Sequence, residues 1–209
     1  MEIPTIEECH ELFHQYQVPG TVRSHCTTVF QVASFLSQEL KKKNYPLNPD
    51  IIKPFSLLHD FMKAVVLERL TDPPYNYNPT EEEIKMHQQL RKKYPQMSET
   101  KVAYLILKDQ YPEFAKLFLE LDELTQNPHA QVSQEAKFIH YIDWRVLGNK
   151  VVPMQERLDY IHKRYGHWIQ KRNIDWEATK KEQFDYEANI FKHLPFKADE
   201  LAQHIHIKL

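Results

Sequence analysis

Residues 55–66 read FSLLHDFMKAVV, an apolar run broken mainly by the pair His59-Asp60 and by Lys63. Apolar on nearly every side, the run reads as a helix near the centre of a bundle. A carboxylate there is costly unless a cation or several hydrogen-bond donors meet it. The search for that partner organises the rest of the chain.

Upstream, VRSHCTTVFQVASFLSQEL covers residues 22–40. Val22, Cys26, Val29, Ala33, Leu36 and Leu40 follow helical steps of three and four, and His25 falls in the adjoining inward row with Val22, Val29 and Val32. Downstream, KFIHYIDWRV covers residues 137–146. Read as one helix, it puts Ile139, Asp143, Val146 and Lys150 on one face, with Arg145 pointing about 200° away from Asp143, toward the bundle surface or a second helix. Three helical segments therefore each turn a metal-binding side chain inward. The set His25, His59, Asp60 and Asp143 mixes nitrogen and oxygen donors suited to one divalent ion: manganese, iron, nickel, cobalt, zinc or magnesium.

The wider composition agrees with an all-α bundle. The chain has 209 residues, 42% hydrophobic and 27% charged, with 3 glycines and 13 prolines. Helix-start chemistry stands at Thr5 with Glu8, Asn48-Pro49, Asn78-Pro79 and Asn127-Pro128, so helices are expected from about residues 6, 49, 79 and 128. Others are expected over about 21–43, 99–109, 112–124, 153–172, 176–192 and 198–206. The expected organisation is a single helical domain over 1–209, its core at about 10–170, with C-terminal helices 176–207 packed on it. The segment 71–79, TDPPYNYNP, is an irregular connection. Its Tyr75 and Tyr77 would pack on the bundle or cover a cleft.

A net charge of −2 gives no basic field for nucleic acid. No run of about 18 apolar residues would cross a membrane. The start lacks a signal-peptide pattern, so the expected location is cytoplasmic. Cys9 and Cys26 are expected as reduced core residues. An apolar face of the later helices, if left outward, would serve a homodimer. His204 and His206, two apart, read as tail or packing residues.

Order and context together resemble the HD-domain metal-dependent phosphohydrolases, whose pattern is a histidine, an adjacent His-Asp pair and a distant aspartate. The words that carry the resemblance are VRSHCTTVFQVASFLSQEL, FSLLHDFMKAV and KFIHYIDWRV, followed by MQERLDYIHKRYG at residues 154–166. The resemblance covers about residues 10–170. It implies an all-helical bundle with His25, His59, Asp60 and Asp143 as metal ligands and a metal-activated water as the attacking group. Asp60 would be both ligand and orienter. The implied substrate is a small phosphorylated molecule, a nucleotide or related phosphomonoester or diester.

Around this set, Lys63 lies four residues after His59 and would meet a phosphate or neutralise Asp60. Arg157 and Arg164 flank the row Met154, Leu158, Ile161, Tyr165 and Trp168, placed to reach a phosphate or to be solvated. Some family members hold two metals, using two further histidines. Here His87 reads as lying on an exposed face, His129 as a helix-start residue, and His140 as a donor to Asp143. Ser98-Glu99 stands where a histidine-glutamate step is expected, which favours one metal, and Ser98 reads as a helix cap. The competing class is a regulatory module that keeps a metal without turnover. An ion site opening on a cleft would separate the two.

Overall fold

The computed structural model describes residues 1–71 and 77–205, and Tyr75 and His206 lie outside them. Ten α-helices and one short hairpin make up the described chain: α1 Ile6–Gln15, α2 Gly20–Lys41, α3 Pro49–Leu58, α4 Glu81–Lys93, α5 Glu99–Leu107, α6 Pro112–Gln126, α7 Gln134–Asp143, β1 Val146–Leu147, β2 Lys150–Val151, α8 Met154–Lys171, α9 Trp176–Phe191 and α10 Leu201–His204. The all-α class holds. Among the described residues no helix is long and apolar enough to cross a membrane.

Local chemistry sets most boundaries. Thr5 and Glu8 close a reciprocal capping box on α1 and Asn48 caps α3 with Pro49 in its first turn, while Ser98 caps α5. Two expected starts are corrected. α4 begins after Thr80, because Thr80 and Glu83 satisfy two backbone donors reciprocally, which a lone Asn78 does not. No helix starts at residue 128: Asn127 ends α6, its Oδ1 accepts from the His129 amide at 3.2 Å, and α7 waits for its cap Ser133.

The core is built on α2, whose Cys26, Val29, Val32, Ala33 and Leu36 are fully buried. It packs along α3 and against α7, which also contacts α6 and α9. Phe55 of α3 meets Phe114 and Phe118 of α6 edge to face, an arrangement that aromatic quadrupoles favour. Both cysteines are free and buried.

Two breaks in helical geometry matter more than the helices. Past Leu58 the chain tightens through a turn into a 3-10 segment at Lys63–Val65, so the run 55–66 is not one helix. Past Asp143 the chain leaves α7 and forms a two-residue hairpin, with Val146 opposite Val151 and Leu147 opposite Lys150. Val146 and Lys150 therefore do not extend the face of Asp143.

Other side chains are tied to the frame. Tyr77 donates its hydroxyl hydrogen to the Glu83 carboxylate and accepts from the Gly20 amide at 2.9 Å, so it packs on the bundle. A Cβ on Gly20 would fall 2.8 Å from that hydroxyl oxygen, so glycine allows the approach. His204 stacks on Phe196 with ring centroids 4.1 Å apart, consistent with its expected packing role.

Candidate metal centre

The helix end at Leu58 frees carbonyl groups that no later amide claims. One of them, from Ser56, accepts a hydrogen bond from His59 Nδ1 at 2.7 Å. Because a carbonyl can only accept, this bond puts the proton on Nδ1 and leaves the Nε2 lone pair directed elsewhere. His59 Nε2 is buried, has no hydrogen-bond partner among the described residues and lies 3.7 Å from Asp143 Oδ1.

His25 repeats the device from α2. Its Nδ1 donates to the Gly148 carbonyl at 2.8 Å, and its Nε2 lies 2.9 Å from the same Asp143 Oδ1. With Nδ1 already protonated, Nε2 facing a carboxylate calls for a second ring proton or a cation shared with the oxygen. Backbone carbonyls holding the far nitrogen are the usual outer support of metal-ligating histidines. Ligand atoms of His25, His59 and Asp143 all lie within 4.8 Å of one another, close to the spread of about 4 Å that ligands some 2 Å from one ion impose. The group fits a divalent cation.

Asp60, read with these three from the sequence, stands beside this trio. Its Oδ1 lies 3.4 Å from Lys63 Nζ, which also donates to Glu99 Oε1 at 2.6 Å. Of the two roles expected of Lys63, the neutralising of Asp60 is the one seen: the Lys63 amide bonds back to the Asp60 carbonyl at 2.8 Å, a 3-10-type turn that sets residues three apart side by side. Burial opposes charge on Lys63, but the Asp60 and Glu99 carboxylates outweigh it and hold its pKa well above the usual lysine range. Burial likewise raises Asp60, and the Lys63 and His59 charges more than offset this, so its pKa is lowered. At Asp143 burial is overcome by the hydrogen bond with His25, by the nearby His59 ring and by Arg157, and the carboxyl sits well below its ordinary value. Burial lowers His59, yet Cys26, Asp143 and Asp60 together raise it well above the usual histidine range.

His59, Asp60, Lys63, Glu99 and Asp143 line one end of a cavity of about 670 Å³. Arg157 and Arg164 line it too. Arg157 Nη2 approaches Asp143 Oδ1 at 3.8 Å, and its Nε has no hydrogen-bond partner among the described residues. Arg164 lies over the Tyr165 ring at 5.7 Å from its centroid.

Of the three extra histidines, His87 and His129 lie away from the cavity and His140 lines it. His87 is buried, not on an exposed face: its Nε2 donates to the Leu67 carbonyl at 2.8 Å, because α4 packs on the 3-10 segment. His129 pairs with Glu182 at 2.5 Å on the surface. His140 sets its ring 4.9 Å from Trp144, and burial pushes its pKa down to about 4. Arg145 makes the second-helix contact, not the surface one. It is 2% exposed and donates to Glu187, to Tyr141 Oη and to the carbonyls of Val152 and Ala198.

Sequence reasoning missed Gly148, whose φ of +62° lies in the left-handed region and whose carbonyl holds His25. The signal was present: Gly148-Asn149 between the apolar words RVL and KVV is a two-residue hairpin pattern. Compared with protein-family models, curated proteins and solved structures, the chain matches none.

Proposed function

We propose that this chain is a metal-dependent phosphohydrolase of the HD-domain kind, acting on a small phosphorylated molecule. The observation that carries the reading is His59 Nε2: buried, unpartnered, its ring locked from behind, and aimed at an oxygen that His25 also faces. An orphaned buried nitrogen is costly, and a cation is the partner that the three side chains fit together. His25, His59 and Asp143 would hold the ion, with Asp60 at the cavity wall beside them.

A divalent ion bound there supplies a Lewis acid that lowers the pKa of a water and neutralises charge on a phosphoryl oxygen. The chain's own residues do the rest. Arg157 offers a guanidinium to the phosphate from α8, with Arg164 further along the same helix. Asp60, with its lowered pKa, accepts a hydrogen bond from the attacking water and orients it; it is too weak a base to keep the proton. Lys63 holds that carboxylate ionised and in place. As the water oxygen bonds to phosphorus, the bond from phosphorus to the ester oxygen breaks. One water proton ends on the departing alkoxide, leaving an alcohol and inorganic phosphate. That two of the three ligands, His59 and Asp143, line the cavity favours turnover over a closed structural role.

The test is elemental analysis of the purified protein, followed by a screen of phosphorylated metabolites with added manganese, nickel, cobalt or magnesium. A bound divalent ion and phosphate release that vanishes in Asp60→Ala, with helical circular dichroism retained, are the expected results. Undiminished release by Asp60→Ala, or a folded protein that neither binds metal nor hydrolyses any ester, would defeat the proposal.

A further inference from the structure

We infer that the cavity selects phosphate esters of an extended apolar alcohol, an inference that takes the place of the phosphate from the reading above. Helix α8 runs from one end of the site to the other. Arg157 stands beside Asp143, and Ile161, Tyr165 and Trp168 follow at successive turns, all lining the same cavity. At 1.5 Å per residue, Arg157 and Trp168 are separated by about 16 Å along the helix. Asp60, Lys63, Asp143 and Arg157 gather at the near end; beyond them α8 turns Ile161, Tyr165, Trp168 and Ile169 onto the cavity, with Arg164 the one charged side chain it adds there.

The chain's 3 tryptophans, Trp144, Trp168 and Trp176, all line this cavity. None belongs to the fully withdrawn core. Trp144 and Trp176 lie 6.1 Å apart between ring centroids, and Ile169 and Ile174 complete the far wall. Large aromatics kept out of the core and turned together onto one cavity are a surface for apolar contact.

Among the described residues no asparagine or glutamine lines the cavity, so no side-chain amide is there to pair a nucleobase edge; the neutral polar groups are threonines, the His140 ring, the Tyr165 hydroxyl and the indole N–H groups. Its threonine hydroxyls are engaged within the frame: Thr100 with Asp122, Thr125 with the Leu121 carbonyl, and Thr179 with the Asp175 carbonyl. With no amide to match its edge, a base buried there would leave part of its donors and acceptors unpaired, whereas an alkyl body loses nothing and gains burial. This shifts the substrate class away from the nucleotide-like ester read from the sequence.

The test uses manganese-loaded protein with butyl, hexyl and octyl phosphate, adenosine monophosphate and glycerol 3-phosphate, with binding read from tryptophan emission. Burial of a methylene corresponds to about a fourfold gain in affinity when complete, so affinity should rise about tenfold or more from butyl to octyl phosphate. Octyl phosphate should also bind at least about tenfold more tightly than adenosine monophosphate. A flat alkyl series, or a nucleotide preferred over octyl phosphate, overturns the inference. Trp168→Ser, at the far end of α8, should lower octyl phosphate affinity about tenfold, and unchanged affinity in that folded variant would also overturn it. Phosphate release is read separately. Alkyl preference without release removes the catalytic reading and leaves this inference standing, whereas release from nucleotides with no alkyl preference does the reverse.

Discussion

Asp143 and Arg145 stand two residues apart at the end of α7, and the chain treats their charges in opposite ways. Arg145 is 2% exposed and its donors reach two carbonyls, a tyrosine hydroxyl and Glu187. Around Asp143 two imidazoles crowd one oxygen, and His59 Nε2 has no partner. A saturated buried network rigidifies a fold. An undersatisfied one, opening on a cavity, is where a missing ligand belongs.

The largest effect should come from breaking the saturated side. Arg145→Leu leaves Glu187 without its cation and should lower unfolding free energy by about 3–5 kcal/mol, measured by urea denaturation. A loss below about 1 kcal/mol would mean that Arg145 and Glu187 are less coupled than their geometry implies. The undersatisfied side should respond to metal instead. Adding manganese to chelator-stripped protein at about a hundred times its dissociation constant should raise stability by about 2.7 kcal/mol. Asp143→Asn should abolish that increment, and Arg145→Leu should keep it. An increment that survives Asp143→Asn would place the ion elsewhere.

How much of this could be read beforehand follows the same division. Periodicity gave the inward faces of His25 and Asp143, since an apolar stripe reports which way a helix turns. It could not give the ends of α3 and α7, where apolar residues continue while the backbone leaves the helix. Those two ends make the site: the first frees the Ser56 carbonyl for His59, and the second brings Gly148 to His25. The pairing of Lys63 with Asp60 was legible as one of two alternatives, because the two residues are close in sequence. For Arg145 the sequence left a surface and a second-helix contact open, because its partners Glu187 and Ala198 are remote in sequence. The helix starts, where capping chemistry is local, were mostly legible.

His140 offers a smaller test of the open side. Its pKa is pushed down to about 4 from an ordinary 6.5 by burial, so the folded protein holds the ring neutral. The unfolded chain takes up a proton first as pH falls, and stability should therefore be full above about pH 6.5 and decline toward pH 4. Since the ring retains some solvent access, the loss attributable to it is about 1–2 kcal/mol, less than complete burial would give. His140→Gln should flatten that part of the pH profile in denaturant melts. An unchanged slope between pH 6.5 and 4 would assign the acid sensitivity to other groups.

The smallest change tests the hairpin that supports His25. No atom of the described residues lies within 4 Å of a Cβ built on Gly148, so any penalty from Gly148→Ala comes from the backbone at φ +62°, about 1 kcal/mol. Relief of that strain would turn the carbonyl away from His25 Nδ1, and loss of such an outer hydrogen bond weakens metal affinity about tenfold or more. Gly148→Asn should recover much of both losses, because asparagine tolerates the left-handed region better than alanine. Titration calorimetry with manganese, set beside thermal melts, reads the two effects separately. If Gly148→Ala costs stability but leaves metal affinity intact, the hairpin shapes the fold alone, and the undersatisfied side of α7 ends at the His25 ring.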